Sequence, residues 1–237
     1  MPHGVQILET EDHQLVLDYG FRLLRTRGTM LVWGPYGTGK TVALYALVEC
    51  LGDQGFYIRL ADRAAGHEVA VALYRELTGT DTSARGMKLL LKLRDEIIGE
   101  RAFVLVIDEA YLMNRTALRH LRWLHDHKVN WGLVLGAIAP AALEKLTPEF
   151  DTRASLRVEF SVLGADWLDW IERYHALFKT APPEFLYSIN AEYAEHVLRR
   201  WENVLLVAQT YMEDAGVTTI TEEVAAATLG ALTGSWR

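Results

Sequence analysis

The fold is decided by the stretch Gly34-Pro-Tyr-Gly-Thr-Gly-Lys40-Thr41, which lies between the apolar run Met30-Leu-Val-Trp33 and the helix-like segment Val42-Ala-Leu-Tyr-Ala-Leu-Val48. A glycine-rich turn that leads into a helix N-terminus points backbone N–H groups and the positive end of the helix dipole at one spot, which suits phosphate oxygens. Lys40 would reach the β and γ phosphates of a nucleoside triphosphate, and the Thr41 hydroxyl would ligate Mg²⁺. The alternative is a glycine-rich turn with a surface lysine. The residues that we predict to bind nucleotide are Gly34, Pro35, Tyr36, Gly37, Thr38, Gly39, Lys40, Thr41 and Val42.

An acidic pair, Asp108 and Glu109, follows the apolar run Phe103-Val-Leu-Val-Ile107. Such a run suits a central parallel strand that is buried on both faces and that ends at the carboxyl edge of a sheet. Buried carboxylates need cationic partners, and Mg²⁺ bound to a nucleotide supplies them. Asp108 would hold the metal, and Glu109 would orient and deprotonate the attacking water. The alternative is an acidic cap on the next helix. A small-molecule kinase excludes water from its active site and has little use for a water-activating glutamate, so Glu109 disfavours that class of enzyme.

The composition is that of an ordinary globular protein, with 237 residues, 50% hydrophobic and 23% charged. The single cysteine, Cys50, excludes a disulfide framework, and we expect it to be buried. The longest nearly apolar stretch, Trp131–Leu143, is shorter than the ~20 residues that span a bilayer. We therefore expect a cytoplasmic protein with no membrane role. The net charge of −7 means that any DNA contact must come from a local basic patch.

The pattern along the chain predicts an α/β fold with a mostly parallel five-stranded sheet and flanking helices. Strands are expected at residues 29–33, 55–60, 103–107, 130–138 and 156–160, and an amphipathic helix is expected from about Thr10 to Arg27. From Asp166 onward the pattern is purely helical. We therefore predict a nucleotide-binding domain over residues 1–164 and a small helical domain over residues 165–237, whose first helix would end at Pro182-Pro183.

This order of parts resembles the AAA+ ATPases. Gly34–Thr41 matches their Walker A motif, Val104–Glu109 matches Walker B with its catalytic glutamate, and the terminal helices look like the lid. Within that superfamily, the lead-in that ends Ile7-Leu-Glu-Thr10, the compact size and the closing stretch Ala215–Val224 look most like the transposition regulators MuB, IstB, TniB and TnsC. Related origin-recognition-type ATPases share several of these features.

The resemblance implies a P-loop ATPase that uses ATP and Mg²⁺ and forms ADP and phosphate. It also implies a homo-oligomer, either a ring or a helical filament, that assembles on duplex DNA and engages a transposase. The alternative from another class is a nucleotide-gated signalling or scaffold ATPase that acts on a protein partner without binding DNA.

The resemblance further implies an arginine finger just before the fifth strand, in the segment Phe150–Phe160. A guanidinium from a neighbouring subunit can stabilise charge on the transferred phosphoryl group. We favour Arg153 because it precedes the strand, whereas Arg157 alternates within it. A surface salt bridge is the alternative for either residue.

Two positions depart from the AAA+ pattern. The end of the fourth strand reads Leu135-Gly136-Ala137-Ile138, and Ala137 has no polar side chain for the role called sensor 1. The sensor 2 arginine would be expected near residues 201–205, which contain none, although Arg199 and Arg200 lie close. Both departures predict slow hydrolysis, with ATP serving mainly as an assembly switch.

The candidate DNA contacts are Arg63, Arg85 and Lys88, and the resemblance implies that they would face the central channel of a ring or spiral assembly. Repeating one or two cations per subunit along a phosphate backbone multiplies a weak contact, so an acidic protein can still bind DNA. Each of these residues could instead be solvated surface. A second basic feature could line the channel, contact a neighbouring subunit or be solvated, and it comprises Arg115, Arg119, Arg122, His125 and His127.

Overall fold

The computed structural model describes residues 4–60, 64–98, 102–127, 130–138 and 154–234. The chain divides into two compact units. One unit, the sheet unit, comprises Glu11–Gly34 and Lys40–Phe160, and the other, the helical unit, comprises Met1–Thr10, Pro35–Gly39 and Ser161–Arg237. The domain boundary between residues 164 and 165 stays a prediction.

The sheet unit is built on five parallel strands in the spatial order β2-β3-β4-β1-β5. The strands are β1 (Thr29–Trp33), β2 (Gly55–Arg59), β3 (Phe103–Asp108), β4 (Trp131–Gly136) and β5 (Ala154–Glu159). Every residue of β3 and β4 is buried, as expected of central strands with helices on both faces. The predicted fold class, a P-loop α/β sheet with flanking helices, is confirmed.

Two hydrophobic layers hold helices on opposite faces of the sheet. Strand residues alternate between them, since Val104 and Val106 belong to one layer and Leu105 and Ile107 to the other. The first layer contains α1 (Glu11–Thr26) and α2 (Lys40–Leu51). The second contains α3 (Gly66–Thr78), α4 (Gly86–Lys92) and α5 (Arg115–His127). This arrangement brings the carboxyl ends of the strands to one edge.

The helical unit packs around stacked aromatic side chains. Trp167 stacks on Trp201 with ring centroids 5.6 Å apart, and Phe178 meets Trp201 edge-on at 5.4 Å. The N-terminal segment joins this unit, since the Gln6 backbone N–H donates to the Tyr174 carbonyl at 3.0 Å. Its helices are α6 (Trp167–Tyr174), α7 (Ala176–Lys179), α8 (Pro183–Ile189), α9 (Leu198–Ala215) and α10 (Glu222–Thr233).

Two details differ from the sequence predictions. The first helix of the helical unit already ends at Tyr174, because His175 is extended with φ −152° and ψ 139°, and its ring accepts from the Leu177 N–H to begin α7. Pro183 instead begins α8. Cys50 is exposed rather than buried, because it lies on the outer side of α2. Within the described residues, no helix is both long enough and apolar enough to cross a bilayer.

Candidate active site

The carboxyl edge of the sheet brings Thr41 and Asp108 into direct contact. Asp108 ends β3, and Thr41 lies in the first turn of α2, which follows β1 and its loop. The Thr41 hydroxyl donates to Asp108 Oδ2 at 2.8 Å. Residues that lie 67 positions apart in the sequence therefore meet at one point, as a shared Mg²⁺ site requires.

The Asp108 carboxylate is buried, at 3% exposure, and is held by donors at both oxygens. Besides Thr41, the Tyr57 hydroxyl donates to Oδ2 at 2.9 Å, and the Glu109 backbone N–H donates to Oδ1 at 2.9 Å. Gly136 at the end of β4 lies so close that a Cβ there would meet Asp108 Oδ1 at 2.8 Å. The carboxylate therefore has one well-defined orientation.

Tyr57 is a residue of the site that the sequence analysis missed. It lies on β2, next to β3, and its ring stacks on Tyr45 of α2 with centroids 4.0 Å apart. Burial raises the pKa of Tyr57 above its ordinary value, and the Asp108 carboxylate adds to this shift. The alternation of side chains along β2 puts Tyr57 and Arg59 on one face of the sheet. That pattern could have placed Tyr57 at the site only if the pairing of β2 with β3 had been known.

Glu109 has a strained backbone and one buried carboxylate oxygen. Its φ of 56° and ψ of 34° lie in the left-handed region, which costs a non-glycine residue about 1–3 kcal/mol. Its Oε2 is buried and has no hydrogen-bond partner among the described residues. Strain together with an orphaned buried acceptor is typical of a functional site.

The lysine of the loop reaches back over the start of the loop. Lys40 Nζ donates to the Gly34 carbonyl at 2.7 Å, a position from which it can turn to a phosphate oxygen. A glycine is required at position 34, because a Cβ there would meet the Phe160 carbonyl oxygen at 2.2 Å. The first residues of α2, Lys40 to Val42, are half-buried.

The middle of the loop, Pro35–Gly39, groups with the helical unit and contacts the start of α9 there. The Thr38 hydroxyl donates to the Pro35 carbonyl at 2.9 Å, which closes the loop on itself. The Arg199 backbone N–H donates to the Gly37 carbonyl at 3.2 Å. A Cβ at Gly37, whose φ is 77°, would meet Arg199 Cβ at 2.7 Å.

Of the two arginines in the first turn of α9, Arg199 contacts the loop through its backbone N–H, and its side chain is exposed. Arg200 is engaged elsewhere, since it pairs with Glu195 and donates to the Tyr193 carbonyl at 2.7 Å. At the end of β4, Ala137 is buried, and its backbone N–H donates to the Val32 carbonyl at 2.8 Å. Its methyl group offers no hydrogen bond to water or phosphate.

These residues fit a nucleotide with its metal. The Thr41 hydroxyl and the Asp108 carboxylate are oxygen ligands of the type that Mg²⁺ prefers. Glu109 Oε2, which is buried without a partner in the part of the chain that the structure describes, can accept a hydrogen bond from a water molecule. Lys40 and the backbone N–H groups at the start of α2 supply positive charge for phosphate oxygens.

The structure describes only some of the remaining predicted site residues. Arg63 and Arg153 lie outside the described residues. Arg157 is exposed on β5. Arg85 precedes α4 and Lys88 lies within its first turn, and both side chains are exposed.

Comparison with known proteins supports the fold described above. Residues 23–140 match the model of a protein family described as AAA domain. The protein has a P-loop AAA+ fold. None of the curated proteins matches the sequence.

Two solved AAA+ structures illustrate the likeness. The Aeropyrum pernix ORC2 protein, in ADPNP–ADP complexes, is 19% identical with a TM-score of 0.71, and the match covers 97% of this chain and 69% of that one. The Thermotoga maritima RuvB Holliday junction branch migration motor is 16% identical with a TM-score of 0.61, and the match covers 96% of this chain and 70% of that one. At such identities the likeness concerns the fold. The transposition-regulator type stays a prediction.

Proposed function

We propose that this AAA+ protein is an ATPase that oligomerises on duplex DNA in its ATP-bound form and regulates DNA transposition. In this proposal it marks a target site and recruits or stimulates a transposase until hydrolysis releases it. The observation that carries the ATPase part is the contact between Thr41 and Asp108, with the strained Glu109 beside it.

The roles at the site follow from the contacts. Lys40 turns from the Gly34 carbonyl to the β and γ phosphates, and Thr41 and Asp108 hold Mg²⁺. When bound, Mg²⁺ neutralises charge that develops on the phosphate oxygens. Glu109 accepts a proton from the attacking water through its unpaired Oε2.

Hydrolysis in this proposal is slow and depends on assembly. Ala137 contributes no polar group at the end of β4, so one aid to positioning the water is missing. Arg153 from a neighbouring subunit supplies a further cation to the site, so turnover requires an oligomer. A long-lived ATP state suits a regulator that must persist on its target.

The DNA part of the proposal is supported by exposed cations at the start of α4. The exposed side chains of Arg85 and Lys88 are available to phosphates, and Arg63 is the third proposed contact. The two similar solved structures include a protein described as a Holliday junction branch migration motor. The scaffold alternative is favoured by one observation, the net charge of −7, which suits a protein partner better than a polyanion.

The test combines gel shift and negative-stain microscopy with duplex DNA and ATP, ADP or a non-hydrolysable analogue. We expect rings or filaments on DNA with ATP or the analogue and none with ADP. A Lys40→Ala variant, which should not bind nucleotide, is the matched control and should form none. If the wild-type protein forms no DNA-dependent assembly in any nucleotide state, the transposition function is wrong and the scaffold function remains.

A further inference from the structure

Tyr57 contacts the proposed metal site and yet belongs to neither of its sequence motifs. Its hydroxyl donates to Asp108 Oδ2, the same oxygen that accepts from Thr41. We propose that Tyr57 is a positioning residue that fixes the Asp108 carboxylate for Mg²⁺, so that the metal-dependent part of nucleotide binding depends on the Tyr57 hydroxyl. This inference rests on the proposed function, because it concerns the same nucleotide site.

The two donors at Oδ2 differ in what else they must do. The Thr41 hydroxyl is a proposed metal ligand, so its oxygen would bind Mg²⁺ while its proton is donated to Asp108. The Tyr57 hydroxyl comes from a neighbouring strand, and it interacts with the Asp108 carboxylate and the Tyr45 side chain without being a proposed metal ligand. It can therefore keep Asp108 in one orientation whether or not the metal is bound.

The structure holds the Tyr57 ring in place through α2. Tyr45 lies one helical turn after Thr41, so a single face of α2 directs Thr41 at Asp108 and Tyr45 at the Tyr57 ring. The two rings stack with an interplanar angle of 26°. The stacked ring therefore holds the Tyr57 hydroxyl in a fixed position beside the Asp108 carboxylate.

The opposite oxygen leaves the carboxylate little freedom to compensate. Asp108 Oδ1 accepts from the Glu109 backbone N–H, and Gly136 crowds it from β4. Removal of the Tyr57 donor would leave Oδ2 with the Thr41 hydroxyl as its remaining donor among the described residues. Oδ2 would then be held by one of these two donors instead of both, and it would meet the metal in a less well-defined position.

The experiment is isothermal titration calorimetry of the full chain with a non-hydrolysable ATP analogue, in MgCl2 and separately in EDTA. The quantity measured is the increase in affinity that Mg²⁺ provides. Tyr57→Phe keeps the ring and its stack and removes one hydrogen bond to a charged group, so we expect this increase to fall about tenfold. The affinity in EDTA should not change, which also shows that the variant is folded.

Two further variants separate positioning from a merely structural effect. Tyr74→Phe also removes a hydroxyl from the sheet unit, one that accepts a hydrogen bond from Lys92, and it should leave the increase from Mg²⁺ unchanged. In an Asp108→Asn background, Tyr57→Phe should have no further effect, because its partner carboxylate is gone.

The outcomes distinguish this inference from the proposed function. A Tyr57→Phe protein with the wild-type increase from Mg²⁺ would overturn the inference, and so would equal reductions of affinity in MgCl2 and EDTA. Failure of the wild-type protein to bind nucleotide in either buffer would instead overturn the proposed ATPase.

Discussion

Glu109 combines backbone strain with an unpaired buried oxygen, and the proposed role as base explains why both persist. Glu109→Gln keeps the shape of the side chain but removes its basicity. We expect unchanged affinity for nucleotide and a hydrolysis rate that falls by about 10²- to 10⁴-fold, the range for removal of a general base. Phosphate release and calorimetry measure the two quantities.

The matched control is Glu49→Gln, which changes an exposed carboxylate on α2 and should hydrolyse at the wild-type rate. The assembled, ATP-bound form of the Glu109→Gln protein should outlive that of the wild type. Undiminished turnover by the variant would exclude Glu109 as the base.

Gly136 is a second residue whose identity the site dictates. A Cβ there would lie 2.8 Å from Asp108 Oδ1 and 3.1 Å from Leu44 Cδ1, so Gly136→Ala must displace the carboxylate or the strand. We expect the free energy of unfolding to fall by about 1–3 kcal/mol, as for other overpacked cores. We also expect weaker nucleotide binding in MgCl2, measured by calorimetry.

A change on the same strand separates these two effects. At Gly132, a Cβ would meet Leu23 Cβ at 2.6 Å, away from Asp108. Gly132→Ala should therefore destabilise β4 without lowering the increase in affinity from Mg²⁺. If Gly136→Ala and Gly132→Ala lower the increase in affinity from Mg²⁺ equally, crowding of Asp108 is not the cause of the weaker binding.

At the scale of elements, a short irregular segment sets where α9 begins. Glu195 and His196 both have left-handed backbones, with φ of 46° and 64°, and Asn190 holds this turn. The Asn190 side-chain oxygen accepts from the His196 backbone N–H at 2.9 Å, and Asn190 is 7% exposed. The turn thereby fixes the start of α9, where Arg199 contacts Gly37.

Asn190→Ala would leave the part-buried His196 backbone N–H without its side-chain partner. We expect it to lower the free energy of unfolding by about 1–3 kcal/mol, measured by urea denaturation. Asn203→Ala is the control, because the Asn203 amide bonds the Tyr193 hydroxyl at an exposed position and its removal should change stability by about 0.5 kcal/mol or less. Equal destabilisation of the two variants would contradict this account of the turn.

The elements that the sequence predicts well are those with one dominant local signal. The apolar run before Asp108 predicts β3, and the glycine-rich loop predicts the start of α2. Tyr57 could not be assigned to the site in this way, because its contact depends on β2 pairing with β3. The helix break at His175 has no proline or glycine beside it, so the helical periodicity of the sequence does not predict the break. The left-handed backbone of Glu109 has no local signal at all.

At the scale of the whole molecule, Tyr174 makes stability depend on pH in alkaline solution. Burial and then the charge of Glu202 raise the pKa of Tyr174 from 10.0 to about 12. Below pH 10 both the folded and the unfolded states are protonated at this residue. Above pH 10 the unfolded state releases its proton first, so the free energy of unfolding should fall until the pH reaches about 12.

The measurement is the midpoint of urea unfolding between about pH 8 and pH 11, which brackets the ordinary tyrosine pKa of about 10. Tyr174→Phe removes the titrating group, so its midpoint should fall less steeply above pH 10 than that of the wild type. Parallel pH dependence in the two proteins would show that other groups govern the alkaline destabilisation.

The balance of charge over the whole chain decides how the protein can bind DNA. With 24 basic against 31 acidic residues, one subunit gains little from bulk attraction to phosphates, so affinity should come from repetition in an ATP-bound assembly.

Removing Arg85 and Lys88 together should weaken binding to all DNA sequences. It should also reduce the slope of log affinity against log salt by about 1 for each DNA phosphate that a binding unit no longer neutralises. Fluorescence anisotropy across a salt series measures both, with Lys179→Ala, an exposed cation of the helical unit, as the control. An unchanged slope in the double variant would exclude these cations from the DNA interface, and equal binding with ATP and ADP would contradict assembly as the source of affinity.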